Sequence, residues 1–181
     1  MDATTFLQFF INGIVLGAIY VLLAIGLSII FGMIGIVNLT HGILYMLGAY
    51  ATVTLAPYVG FFPSLIISPL LVALFGMAIE AAFLRRIYKG DPALGLLFTF
   101  GLAMFLEQMV RAIWGTQGIP FQIPEALRGA VAAGPIIYSK YRYFIGMCSI
   151  VAIGSLWFFL EKTRYGMIIR AGSRDGEMVR I

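Results

Sequence analysis

Between Asp2 and Glu80 the chain carries no Asp, Glu, Lys or Arg, so the side chains there that could do chemistry are few. Asn38, Thr40 and His41 stand close together, with Gly42 following, in the stretch Phe31-Gly-Met-Ile-Gly-Ile-Val-Asn-Leu-Thr-His-Gly. Their chemistry is hydrogen bonding without fixed charge. In apolar surroundings such groups are costly and turn either towards a neighbouring helix or towards a water-filled path. Both readings stand: a structural Asn–His pair between helices, or polar positions beside the route of a solute. His41 is the single histidine and Cys148 the single cysteine. A metal centre needs several convergent ligands, and a hydrolase needs a nucleophile, a base and an orienting acid in a wet cleft. Neither constellation is present, and no phosphate loop or nucleophile elbow occurs. The expectation is a non-enzyme without catalytic residues, metal or cofactor, unable to cleave ATP itself.

Two further groups carry charge. Glu107 and Arg111 are spaced i to i+4 with the acid first, the favourable order for a helical ion pair. They either neutralise one another at the membrane interface or line a path. The segment from Glu161 to Ile181 mixes charge with apolar residues in a pattern that suits an amphipathic helix on a membrane surface. Its Asp175 and Glu177 would not favour an acidic leaflet, which points to a protein partner.

These residues must be positioned by elements built for lipid. Of 181 residues, 61% are hydrophobic and 11% charged, against roughly 45–50% and about 25% in soluble domains. About 20 apolar residues cross a hydrocarbon core, and five such spans are predicted: 6–31, 36–56, 64–84, 93–114 and 143–160. The fold class is therefore all-α, a polytopic transmembrane helix bundle. Gly32 and Gly35 leave open a break in the second span, and the stretch 115–142 is a loop with Pro120, Pro124 and Pro135. Lys and Arg exceed Asp and Glu by 12 to 8. They cluster in short segments between spans, so they meet lipid headgroups and not nucleic acid. Arg85, Arg86 and Lys89 after the third span, and the basic residues after the fifth, predict that both segments are cytoplasmic and the N-terminus outside. The first span lacks a basic n-region before it and is expected to be retained. Small residues such as Gly13, Gly17, Gly76 and Gly95 suit close helix packing.

Two segments carry a resemblance. Gly26-Leu-Ser-Ile-Ile-Phe-Gly, Ile36-Val-Asn-Leu-Thr-His-Gly and Met46-Leu-Gly-Ala-Tyr50 form the first; Tyr165-Gly with Arg170-Ala-Gly-Ser-Arg-Asp to Met178 forms the second. Together they resemble the permease subunits of branched-chain amino-acid ABC importers, a family that includes urea and short-amide importers. The resemblance implies one transmembrane permease domain over 1–181, incomplete at its C-terminus, in the bacterial inner membrane. It implies a cytoplasmic coupling segment at 162–181 meeting an ATP-hydrolysing subunit through Arg170, Gly172, Arg174, Asp175 and Glu177. The other implied partners are a second permease subunit, a periplasmic solute-binding protein and membrane lipid. Asn38, Thr40, His41 and Gly42 are the expected positions beside the substrate path. The alternatives to an importer of branched-chain or related amino acids are a urea or short-amide importer permease, a passive channel or facilitator, and a shortened chain that is a nonfunctional remnant or only an assembly partner.

Overall fold

Long runs without charge fold as helices because lipid offers backbone amides no partner, and a helix satisfies them internally. In a computed structural model, which describes residues 3–87, 90–133 and 136–174, five helices are long and apolar enough to cross a membrane. They are α1 (Ala3–Ile34), α2 (Thr40–Val59), α3 (Phe61–Ile79), α5 (Pro92–Trp114) and α6 (Lys140–Lys162). A π-helical turn (Glu80–Leu84) and the short α4 (Arg85–Ile87) prolong α3. Helix α7 (Arg164–Arg174) ends the described chain. The expected all-α bundle of five spans is what is found. Lys89, Asp175 and Glu177 lie outside the described residues.

The helices fall into two compact units, Met1–Met33 with Gln122–Ile181, and Ile34–Phe121. In the second, α2 and α3 form a hairpin joined by the single residue Gly60. Its φ of 87° and ψ of 161° belong to a region essentially reserved for glycine. Helix α3 turns Ser64 and Ser68 inward, both fully buried. Pro69 removes one backbone donor mid-helix, which membrane helices tolerate. Lower down, the Arg85 amide reaches the Glu80 carbonyl five residues back, the signature of the π turn. Helix α5 runs parallel to α2. Thr40 Oγ1 donates to the Thr99 carbonyl at 3.1 Å near one end, and Trp114 Nε1 donates to Thr54 Oγ1 at 3.0 Å near the other. The Trp114 ring also packs on Tyr50, centroids 5.2 Å apart.

In the first unit, the stretch expected to be loop contains a short antiparallel hairpin, β1 (Ala130–Ala133) with β2 (Ile136–Ser139), Val131 facing Tyr138. Four-residue runs of Ala, Val and Ile on either side of a Gly-Pro pair carry enough strand preference for this. Tyr138 is buried beneath it, its ring edge-on to Tyr143. Its hydroxyl donates to Asn12 Oδ1 of α1 at 2.8 Å, and Arg142 donates to the same oxygen. One asparagine in an apolar helix thus anchors the hairpin to α1. Further along, Val15 of α1 approaches Gly146 of α6.

Candidate functional site

The first polar cluster forms where α1 gives way to α2. The chain leaves the helix at Gly35, whose φ of +72° is the left-handed turn that side chains resist. Asn38 Oδ1 then accepts the Thr40 amide at 3.0 Å, a side-chain turn that starts α2. The break predicted at the glycines is there, but it precedes the second helix instead of splitting it. The reason is local: Asn competes for backbone amides and so favours the cap over the helix interior.

This turn is seated on the first half of α5. Ile36 is buried against Gly95, where a β-carbon would come within 2.9 Å of Ile36 Cγ2. Thr99, fully buried, is the hub. Its Oγ1 accepts from the Leu39 amide at 3.4 Å, and its one proton has two carbonyls in reach, Leu96 at 3.1 Å and Val37 at 3.4 Å. Thr40 closes the knot through the Thr99 carbonyl. Asn38 and Thr40 therefore spend their polar groups holding the turn. His41 is half-buried and its ring makes no hydrogen bond among the described residues; Gly42 is exposed beside it. Thr99 is the member of this cluster that sequence reasoning missed. Its signal was a hydroxyl within an apolar run, Leu-Leu-Phe-Thr-Phe.

The second cluster is the corner between α6 and α7. Thr163 Oγ1 donates to the Phe159 carbonyl at 2.5 Å and accepts the Gly166 amide at 3.1 Å, capping α7 at its start. Gly166 is buried against the end of α6. A β-carbon there would overlap the Leu160 carbonyl oxygen and come within 2.5 Å of that of Phe159. Arg170 pairs with Glu161 across the corner. Arg170, Gly172 and Arg174 all lie on α7, so three of the five expected coupling positions share one helix. Elsewhere, Glu107 and Arg111 form their i to i+4 ion pair, both partly exposed. No group of three or more His, Cys, Asp or Glu that could hold a metal ion occurs among the described residues.

The family model described as branched-chain amino acid transport system, permease component, matches residues 9–181. The chain belongs to this family. The chain is 26% identical over 189 residues to the high-affinity branched-chain amino acid transport system permease protein BraD of Pseudomonas aeruginosa, covering 97% of this chain and 62% of that protein. It is 27% identical over 192 residues to the corresponding protein LivH of Salmonella typhimurium, covering 96% of this chain and 60% of LivH. LivH of Escherichia coli K12 is 26% identical with the same coverage. The chain thus spans a little over 60% of BraD's length and 60% of LivH's. No solved structure matches it. Five membrane-crossing helices and membership among these permeases place the chain in the bacterial inner membrane as a multi-pass protein. Some of the residues that carried the resemblance hold each cluster by itself: Ile36, Asn38 and Thr40 in the first, Gly166 and Arg170 in the second.

Proposed function

We propose that the chain is a membrane-spanning part of an ATP-driven importer that carries branched-chain or related amino acids into the bacterial cell. The observation that carries this reading is α7: an amphipathic helix clamped to the end of α6, bearing Arg170, Gly172 and Arg174. A helix that only floated on lipid would gain nothing from a corner with no room for a β-carbon. A rigid corner suits a segment that must receive force from a motor protein and pass it to spans. In this reading two ATP-hydrolysing subunits supply the motor, a second permease subunit completes the path, and a periplasmic binding protein delivers the solute. Asp175 and Glu177 follow α7 in sequence and extend the coupling segment.

The chain's own work is mechanical, with no covalent chemistry. Binding and hydrolysis of ATP favour one of two arrangements of the spans by differential contact, which alternates access to the solute. Asn38, Thr40, His41 and Gly42 border the path: Asn38 and Thr40 shape the turn, while the half-buried His41 ring makes no hydrogen bond among the described residues. The basic residues Arg85 and Arg86, and those of α7, face the cytoplasm.

The test is uptake of radiolabelled leucine by the complete transporter in proteoliposomes. Accumulation against a gradient that requires ATP and the ATPase subunits supports the importer. Uptake that persists without either would make the protein a channel and overturn the proposal. In the same assay His41→Ala is expected to lower uptake at least about fivefold while ATP hydrolysis and assembly persist, a loss in the ordinary range for one polar contact.

A further inference from the structure

Nothing at the α6–α7 corner is free to swing. Gly166 is wedged against the Phe159 and Leu160 carbonyls, Thr163 bonds both helices, and Glu161 holds Arg170. One turn beyond Arg170, near the far end of α7, Ser173 meets Gly32 of α1. A β-carbon on Gly32 would lie 2.9 Å from Ser173 Cβ and 3.8 Å from its Cα. The Ser173 hydroxyl is turned back to the Arg170 carbonyl at 2.9 Å, so Ser173 offers α1 a β-carbon and not a hydrogen bond. Between corner and tip α1 stands off, leaving a cleft of about 340 Å³ lined by Ala24, Ile25, Ser28, Leu160, Ile169 and Arg170 among others. An arm fixed at its root and touching at its tip delivers displacement at the tip.

We infer that the Gly32–Ser173 contact is where movement of α7 is handed to α1, which makes Gly32 a positioning residue for transport. Gly32 lies three residues before Gly35, so a push there acts at the root of the turn that ends in Asn38 and Thr40. Close-packed contacts of this kind transmit small shifts because the packed surface does not deform continuously. The absence of a side chain on Gly32 is what lets the β-carbon of Ser173 bear on the helix backbone. The inference rests on the proposed role of α7 as the segment that meets the ATPase.

The experiment measures leucine accumulated per ATP hydrolysed by the complete transporter in proteoliposomes, after assembly with the ATPase subunits has been verified. Gly32→Ala forces α1 and the tip of α7 apart, and Ser173→Gly removes the atom that bears on α1. Each single variant is expected to lower the ratio at least about fivefold, the low end of coupling between sites. The double variant moves the β-carbon from one helix to the other and keeps the contact, so its ratio should return to within about twofold of the parent, well inside that coupling range. A single variant with the parent's ratio would overturn the inference, as would a double variant no better than Gly32→Ala. Failure of the broader proposal looks different: the unaltered transporter would then take up leucine without ATP.

Discussion

Thr99 shows how much one hydroxyl can organise in a membrane helix. It is the acceptor for the Leu39 amide, and its carbonyl holds Thr40, so the turn before α2 has no other anchor of this kind on α5 among the described residues. Thr99→Val keeps the shape but leaves the part-buried Leu39 amide without its acceptor. That should cost about 0.5–1.5 kcal/mol, the usual net worth of one hydrogen bond. Thermal unfolding in detergent should show the loss for valine and recover most of it for Thr99→Ser. Gly166 is sensitive for a different reason. Its neighbours are carbonyl oxygens of the adjoining helix end, which cannot rotate away as a side chain would. Gly166→Ala is expected to cost about 1–3 kcal/mol as overpacking, visible as faster protease cleavage near Thr163.

At the level of elements, α3 carries two kinds of serine. Ser64 donates to the Phe61 carbonyl at 2.7 Å, whereas Ser68 Oγ is buried with no partner among the described residues. Both are small and fully enclosed by the packing around α3. For Ser68 the hydroxyl adds nothing to that packing, so Ser68→Ala should be neutral or stabilising by up to about 1 kcal/mol. Ser68→Leu should be clearly destabilising, because a fully buried site has no room for it. The same detergent melt compares the two. Helix α1 is the opposite case: none of its described residues is buried, and a β-carbon on Gly13 or Gly17 would meet nothing within 4 Å. Among the points where it meets the rest of its unit are Asn12 at the β-hairpin, Val15 at Gly146 and Gly32 at Ser173.

For the whole molecule, alternating spans give an orientation that a reporter can read. Five crossings with the N-terminus outside put the turn before α2, the end of α3 and α7 on the cytoplasmic side. A fusion after Arg86 should be active only as a cytoplasmic reporter, and one after Gly118 only as a periplasmic one. The opposite pattern would invert the molecule and remove α7 from any cytoplasmic ATPase. The outer side then receives the β-hairpin and the Glu107–Arg111 pair, which is self-neutralised and partly exposed. A pair of that kind contributes only a few tenths of a kcal/mol, roughly 0.3–0.5.

The number of spans, their approximate limits and the two polar segments were legible in the sequence because hydropathy and capping preference act within a few residues of chain. Asn38 advertises a helix start, and charge-free runs advertise lipid. The break at Gly35 was visible as well, but its place before α2 depended on which amide the Asn38 side chain takes. Tertiary structure alone decided what each polar group touches. Thr40 and Thr99 are 59 positions apart, and Gly32 and Ser173 are farther apart still in the sequence; no local pattern pairs them. Asn12, Tyr138 and Arg142 were likewise unremarkable until the hairpin folded beneath them. Local chemistry selects helices and their ends, whereas long-range pairing is selected by which surfaces exclude lipid and satisfy buried amides together.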